Sequence, residues 1–455
     1  MMNNTINKYS NRFIYPIDAA ISYFVASLIA FLEKFCPQSL SKQVGILEKY
    51  RQVLENIFGL TGLNALGGFL MLLTQVKLAN TLGASTYGVF SYCLAIGEVG
   101  AMVVRYGRNK TMTRDLIQQP ERRNFLIVNT FLLGVINLAI FMLIVALFHT
   151  SLDIEVSIVY MLLIVSPCLI SLDFQPVYES MRMMSWHSIY NLMQKILFLV
   201  LVWLTICFWG CPSLLLLGIT LFTSWITVLS IEFWEIKNTI TGSLRKAVHW
   251  GNILILYKEN FTIALSCLFG VAFGPLLRLI LKNYTDDASV GIYAAGMQIF
   301  LISQFILNQI GRVGNPMMAE AGRNDCPVSR RRSFIKKYLV TMIGSTIPFA
   351  LPMLFIPHII TRLLFTEEYA VLGNYLPLFA FYLITLAIGI VFTQFLISMR
   401  KDKIYFSIYM TGAMATVVTA HAMIPHLGVL GAVIALCIPH GIACIGYAIA
   451  SIRYL

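Results

Sequence analysis

Residues 124–148 read NFLIVNTFLLGVINLAIFMLIVALF, twenty-five positions without one Asp, Glu, Lys or Arg. As an α-helix this run is about 38 Å long, at roughly 1.5 Å per residue, and crosses a hydrocarbon core about 30 Å thick. Its two ends differ. Arg122 and Arg123 stand directly before it, whereas 149–155 after it holds no Lys or Arg. That asymmetry marks a transmembrane helix whose start faces the side where basic residues are retained.

The same pattern recurs outward in both directions. Twelve runs are long and apolar enough to span: 57–80, 86–105, 124–148, 156–177, 189–209, 213–234, 260–282, 289–311, 337–361, 372–398, 404–424 and 428–451. The chain is 58% hydrophobic and only 12% charged, with a mean hydropathy of +0.77. Soluble domains carry roughly a quarter charged residues. The expected fold is an all-α polytopic membrane protein of about twelve transmembrane helices.

A net charge of +12 suggests nucleic acid until the charges are placed. Even-numbered connections hold Arg105, Arg108, Lys110, Arg114, Arg122 and Arg123; Arg182 and Lys195; Lys237, Arg245, Lys246 and Lys258; Arg312, Arg323, Arg330, Arg331, Arg332, Lys336 and Lys337; Arg400, Lys401 and Lys403; and Arg453. Odd-numbered connections offer only Arg278, Lys282 and Arg362. Over short loops such a bias places the even connections, and both ends of the bundle, in the cytoplasm. The partner implied is a membrane, not nucleic acid. The cluster from Arg330 to Lys337 either contacts an anionic substrate on entry or binds anionic headgroups and sets topology.

The nine cysteines form no CxxC pair, and those in apolar runs, such as Cys93, Cys168, Cys207 and Cys267, read as small hydrophobic residues. The histidines show no HExxH motif and no P-loop is present, so neither a metal, a cofactor nor ATP hydrolysis is expected.

Residues 14–32 are apolar apart from Asp18, Ser22 and Ser27, with no small-residue cleavage site. They either span or lie in the interface beside Lys34, Lys42, Lys49 and Arg51. The resulting organisation is an N-terminal extension (1–56), a six-helix bundle (57–234), a cytoplasmic connection (235–259) and a second six-helix bundle (260–455).

A faint repeat supports two halves of the same orientation. Lys77, then Leu82-Gly83, then Tyr87-Gly88 join the first two spans; Arg278 and Lys282, then Gly291-Ile292-Tyr293, join the seventh and eighth. Parallel six-helix repeats enclosing a cavity are a transporter architecture.

Those residues, together with Gly428-Val-Leu-Gly431-Ala432 opening the last span, resemble the Wzx-like polysaccharide flippases of the MOP superfamily, relatives of MATE exporters and MurJ lipid flippases. The resemblance covers roughly 57–451. Two positions depart from the family's pattern: Lys77 stands where Arg is usual, and Leu277 where many members carry an acid. The resemblance implies two parallel six-helix halves and an inner-membrane protein of surface-polysaccharide synthesis, O-antigen among them. Its implied activity is to flip a polyprenyl-diphosphate-linked oligosaccharide from the cytoplasmic to the periplasmic leaflet. Other implied partners are membrane lipids, a polymerase and a chain-length regulator.

Candidate residues follow from chemistry. Lys77 and Arg278 are cations inside spans, which cost about 2.5–3.5 kcal/mol on insertion scales; they either hold the diphosphate or snorkel to the interface. Asn64 and Gln75 are eleven residues apart, which returns to one helix face, and Gln298 and Gln309 repeat that spacing. Amides there either meet sugar hydroxyls or bond neighbouring helices. By the same periodicity Lys77 points away from Asn64 and Gln75. Glu98, central in the second span, and Asp173, between Pro167 and Pro176, are candidates for ion coupling or structural pairing. Glu232 and Glu235, near a helix end, are expected to face water.

Three other functions compete. A MATE-like exporter of cationic drugs needs acids in its cavity, where this chain puts cations. A membrane glycosyltransferase or polymerase needs long outward loops, and the outward connections here are expected to be about five to twelve residues. A scaffold without transport leaves no mark in sequence.

Overall fold

The computed structural model describes residues 51–108, 112–113, 115–116, 119–148, 154–181, 183–239, 250–322 and 326–454. The apolar stretch 14–32 lies outside them, as do Lys110, Arg114, Arg182, Arg245, Lys246 and Arg323. Every regular element among the described residues is helical.

The first helix, α1 (Arg51–Arg105), is 55 residues long and broken at Gly83, whose φ of 73° and ψ of 169° are not helical. The portion from Gly62 is 44 residues, about 66 Å if straight, or twice a bilayer core. It folds back instead: the Tyr87 hydroxyl donates to Gln75 Oε1 at 3.1 Å, a contact impossible across twelve residues of straight helix. Glycine supplies the positive φ that this hairpin requires. Then follow α2 (Arg123–Phe148), α3 (Ile154–Leu169), α4 (Gln175–Ser180), α5 (Met184–Trp209) and α6 (Leu214–Thr239). The chain continues with α7 (Trp250–Phe269), α8 (Pro275–Tyr284), α9 (Asp287–Ala321), α10 (Val328–Phe355), α11 (Pro357–Leu364), α12 (Leu376–Ser398), α13 (Asp402–Leu427) and α14 (Val429–Ile452).

Among the described residues, ten helices are long and apolar enough to cross a membrane, and a pair bent by 58°, Ile253–Phe261 and Ile263–Phe273, makes an eleventh. The second arm of α1 makes a twelfth. The protein is a helical, multi-pass membrane protein.

Several boundaries differ from expectation. The seventh span begins at Trp250 and is broken at Gly274, after which Pro275 opens α8. The ninth ends at Phe355, not 361: α11 is a separate amphipathic helix started by Pro357, followed by a 3-10 segment over Glu367–Asn374. In sequence the apolar residues of α11 simply extend the apolar run. The connection 356–375 is therefore longer than the expected five to twelve residues. The Arg330–Lys337 cluster is helical, in the first turns of α10. Arg330, Arg332, Lys336 and Lys337 are exposed, while Arg331 is buried and donates to the carbonyls of Ala321 at 3.0 Å and Tyr454 at 3.1 Å.

Among the described residues, odd-numbered connections meet at one end. The Cys211 thiol reaches the Thr81 carbonyl at 3.5 Å, and Gly428 lies against Thr285. The described parts of the even-numbered, basic connections lie at the other, where Arg331 reaches the Tyr454 carbonyl. Helices α1–α6 form one group and α8–α14 another. Helix α7 crosses between them: its Ile253 and Leu256 join the apolar cluster of the first group, and Tyr257 packs edge-on to Tyr106 with ring centroids 5.0 Å apart and donates to Asn137.

Candidate functional site

At the charge-poor end the two groups are sewn together around the α1 hairpin. The Ala84 amide donates to Glu368 Oε2 at 2.7 Å. Asn80 donates to the Leu364 carbonyl at 2.8 Å and accepts from the Thr366 amide at 3.1 Å. The buried Tyr369 hydroxyl donates to the Ala79 carbonyl at 3.1 Å. These C-terminal partners all lie in the 356–375 connection.

Just below this seam Gly88 of α1 and Gly291 of α9 touch backbone to backbone. A methyl group on Gly88 collides with the Asp287 carbonyl, and one on Gly291 with the Ala84 carbonyl. The Tyr-Gly and Gly-Ile-Tyr elements that mark the sequence repeat thus pack on each other. At the start of α9, Asp286 accepts from the Ser289 amide at 3.0 Å, and the Ser289 side chain together with this cap holds its carboxyl below the ordinary range. Lys282 pairs with Asp287 at 2.5 Å.

Deeper along the same interface lies a polar network. Arg278 of α8 makes an ion pair with Glu98 of α1 and donates to the Ser91 carbonyl at 3.3 Å. Ser91, Gln298 and Arg278 surround the Tyr87 hydroxyl, which is bonded to Gln75. The Tyr293 hydroxyl is buried with no hydrogen-bond partner among the described residues. The Arg278 side chain is 14% exposed and that of Glu98 43%. A carboxylate this open, midway along a span, faces water, because hydrocarbon there is too costly.

Of the sequence candidates, the fold brings together Arg278, Glu98, Gln75 and Gln298. It separates Lys77, whose ammonium lies over the Trp203 ring of α5 at 5.7 Å, and Asn64, which donates to Ser188 of α5 at 3.3 Å. Gln309 is half-buried further along α9, about 16 Å from Gln298.

Asp173 belongs elsewhere. It sits at the break between the 3-10 turn after α3 and α4, buried at the basic end of the first group. Arg108 lies 3.5 Å from its carboxylate and donates to its carbonyl and, at 2.6 Å, to that of Ser171. Burial pulls the Arg108 guanidinium down to about 10, against the opposing pull of Asp173. His187 stands 3.8 Å from Asp173 and 3.4 Å from Glu232. Glu232 corrects an expectation: it is buried, and its carboxylate accepts from the Phe174 amide at 3.4 Å. Glu235 is likewise engaged, accepting from Tyr178 at 2.7 Å and Tyr190 at 2.6 Å. Helix α4 and its break carry Asp173, Phe174 and Tyr178 onto α5 and α6, a fold-back that apolar periodicity does not register. Among the described residues no His, Cys, Asp and Glu group is placed to hold a metal.

Sequence reasoning did not single out Ser91, Glu368 or His187. Ser91 was findable, since seven residues place it on the Glu98 face; the others depend on distant chain.

Residues 53–321, from α1 to the last residue of α9, match the family of polysaccharide biosynthesis proteins. The capsular polysaccharide biosynthesis protein CapF of Staphylococcus aureus is 22% identical over 204 residues, 44% of this chain and 51% of that protein. The match thus spans about half the length of that curated relative. Among solved structures, the lipid II flippase MurJ in its inward closed conformation superposes with a TM-score of 0.68 at 12% identity, covering 86% of this chain and 87% of that one. A single-residue mutant of the Vibrio cholerae MATE transporter VcmN gives 0.62 at 14% identity, covering 88% and 96%. These likenesses are of fold. With the family match embracing the hairpin, the paired glycines and the Arg278–Glu98 pair, the chain belongs to the polysaccharide biosynthesis protein family.

Proposed function

We propose that this protein carries a polyprenyl-diphosphate-linked oligosaccharide across the bacterial inner membrane, from the cytoplasmic to the periplasmic leaflet, by alternating access. The basic end is then cytoplasmic and the seam around Gly83 periplasmic. One observation carries the reading: a cation and a carboxylate from opposite helix groups, Arg278 and Glu98, meet at mid-interface with the carboxylate side chain 43% exposed.

A guanidinium binds phosphate oxygens in the bidentate geometry it uses for a carboxylate. The arriving diphosphate therefore competes with Glu98 for Arg278. Displacing Glu98 unties the two groups and leaves its charge needing a new counter-ion, a proton or a sodium ion, which is where an ion gradient acts. Release of the diphosphate on the periplasmic side lets Glu98 return to Arg278 and resets the pair. Gln298, which with Arg278 flanks the Tyr87 hydroxyl, offers a donor and an acceptor to the first sugar, and the buried Gln75 holds Tyr87 in place. Lys77, Asn64 and Gln309 are assigned to contacts farther from the diphosphate, and Asp173 to an ionic cluster that moves with the first group. The lipid tail stays in the bilayer, and no bond is made or broken.

The test is flipping in proteoliposomes, read as the fraction of lipid-linked oligosaccharide reaching the far leaflet. Arg278→Ala, at wild-type protein level, is expected to abolish movement and Arg278→Lys to retain part of it. Full movement by Arg278→Ala overturns the reading.

A further inference from the structure

The C-terminal helices line a hollow of their own. A cavity of about 430 Å³ lies within this group, inside the range of small-ligand pockets, about 300–1,000 Å³. Gly274 and Gly389 line it without filling it. Its walls include the rings of Phe273, Phe300, Tyr382 and Tyr409, with the Gln304 amide and the His440 imidazole among them. The His440 Nε2 is buried and has no hydrogen-bond partner among the described residues. The imidazole is held edge-on against Tyr382, centroids 4.9 Å apart, and Phe273, 6.1 Å apart. Among the described residues no Asp, Glu, Lys or Arg lines the cavity.

Two neighbours of the hollow bear on its use. A second hollow of about 750 Å³, lined by Asp402 and Lys403 at the basic end, shares the walls Tyr405 and Tyr409 with it. Gly274, in the wall of the first hollow, is four residues from Arg278, about 6 Å along the helix.

The lining selects among ligand chemistries. A cation could rest on the aromatic faces, but the described walls offer no acid to neutralise it and the buried His440 nitrogen would still lack a donor or acceptor. An acyl chain leaves the buried His440 nitrogen unpaired, which is costly. A sugar ring presents a C–H face to aromatic rings and hydroxyls that both donate and accept, which an imidazole and an amide satisfy. We infer that this cavity is a saccharide subsite, holding the uncharged sugar of the lipid-linked substrate while Arg278 holds its diphosphate. The inference rests on the transport reading above.

Full-length protein in nanodiscs tests it with three probes: the dephosphorylated oligosaccharide released by mild acid from the cell's own lipid-linked pool, farnesyl diphosphate, and the cation tetraphenylphosphonium. A Cβ on Gly389 meets only His440, at 3.7 Å, so Gly389→Phe fills the hollow, and His440→Leu removes its polar group at similar size. Each is expected to weaken oligosaccharide binding by about tenfold or more and leave farnesyl diphosphate binding unchanged; Arg278→Ala is expected to do the reverse. Oligosaccharide binding that survives both cavity variants, or is lost in Arg278→Ala alone, overturns the subsite. So does a cavity variant that loses farnesyl diphosphate or tetraphenylphosphonium instead. Wild-type flipping by Gly389→Phe sinks the subsite while leaving the transport reading intact; no flipping by the wild-type protein sinks the transport reading itself.

Discussion

Gly88 and Gly291 lie so close that a β-carbon on either would sit 3.1 Å from the amide nitrogen of the other and collide with a carbonyl oxygen beside it. These are the equivalent glycines of the two repeat motifs, and their contact closes the charge-poor end. A closure made of bare backbone opens without unthreading side chains, which suits a joint that parts and re-forms in the proposed transport cycle.

Gly88→Ala or Gly291→Ala is therefore expected to wedge the joint apart. Overpacking of this kind costs typically about 1–3 kcal/mol. A cysteine placed at Ala84, buried in the closed form, should become reactive to a membrane-impermeant thiol reagent added from that side. Unchanged labelling in both variants excludes the joint as a gate.

The seam at Glu368 should behave as a latch. Glu368→Ala removes the acceptor for the Ala84 amide, and Asn80→Ala removes both the donor to Leu364 and the acceptor for Thr366. Each is expected to raise labelling at the same position severalfold, with the double variant highest. Glu368→Gln, which keeps an acceptor oxygen, should lie between wild type and Glu368→Ala.

Arg278 and Glu98 should be energetically coupled. A double-mutant cycle with Arg278→Met and Glu98→Gln is expected to give about 1–2 kcal/mol of coupling in thermal stability. This is below the ~3–5 kcal/mol lost when a fully buried pair is broken, because the Glu98 side chain is 43% exposed and water screens it. Glu98→Gln should also weaken the dependence of flipping on a proton or sodium gradient. Independent effects in the cycle would show that the two never share a charge.

Breaking the cluster at the basic end should be more damaging than breaking the central pair. Arg108→Met leaves Asp173 and Glu232 buried with only His187 near both among the described residues. A loss of about 3–5 kcal/mol is expected, read as the largest fall in melting temperature among the charge variants. A variant as stable as wild type would show that the cluster is hydrated.

The Asp286 cap carries a pH signature. Its carboxyl titrates below the ordinary value of 3.8 because the Ser289 side chain and amide favour the charged form. The stabilisation is thus present at neutral pH and is lost as pH falls through the depressed folded value. Asp286→Ala should cost about 1 kcal/mol at pH 7, and its melting curve should approach that of wild type below about pH 4. A gap that stays constant with pH assigns the effect to packing.

Read along the chain alone, these residues settle the solvent and the crossings. A bilayer core accepts only segments of about twenty apolar residues with satisfied backbones, and such a rule is local, so it is written into runs like 124–148. The linear order also carries the grouping of basic connections at one end, and the repeat whose two copies prove to be packing partners. Segment 356–375 escapes the rule because α11 is as apolar as the span before it; the break at Pro357 and the docking of the segment on the α1 hairpin separate them. The pairing of Arg278 with Glu98, 180 residues apart, and the burial of Glu232 beside His187 follow from helix packing and from nothing nearer in the chain. Charges in low dielectric seek whichever opposite charge the packing brings near, and no spacing along the chain encodes which that is.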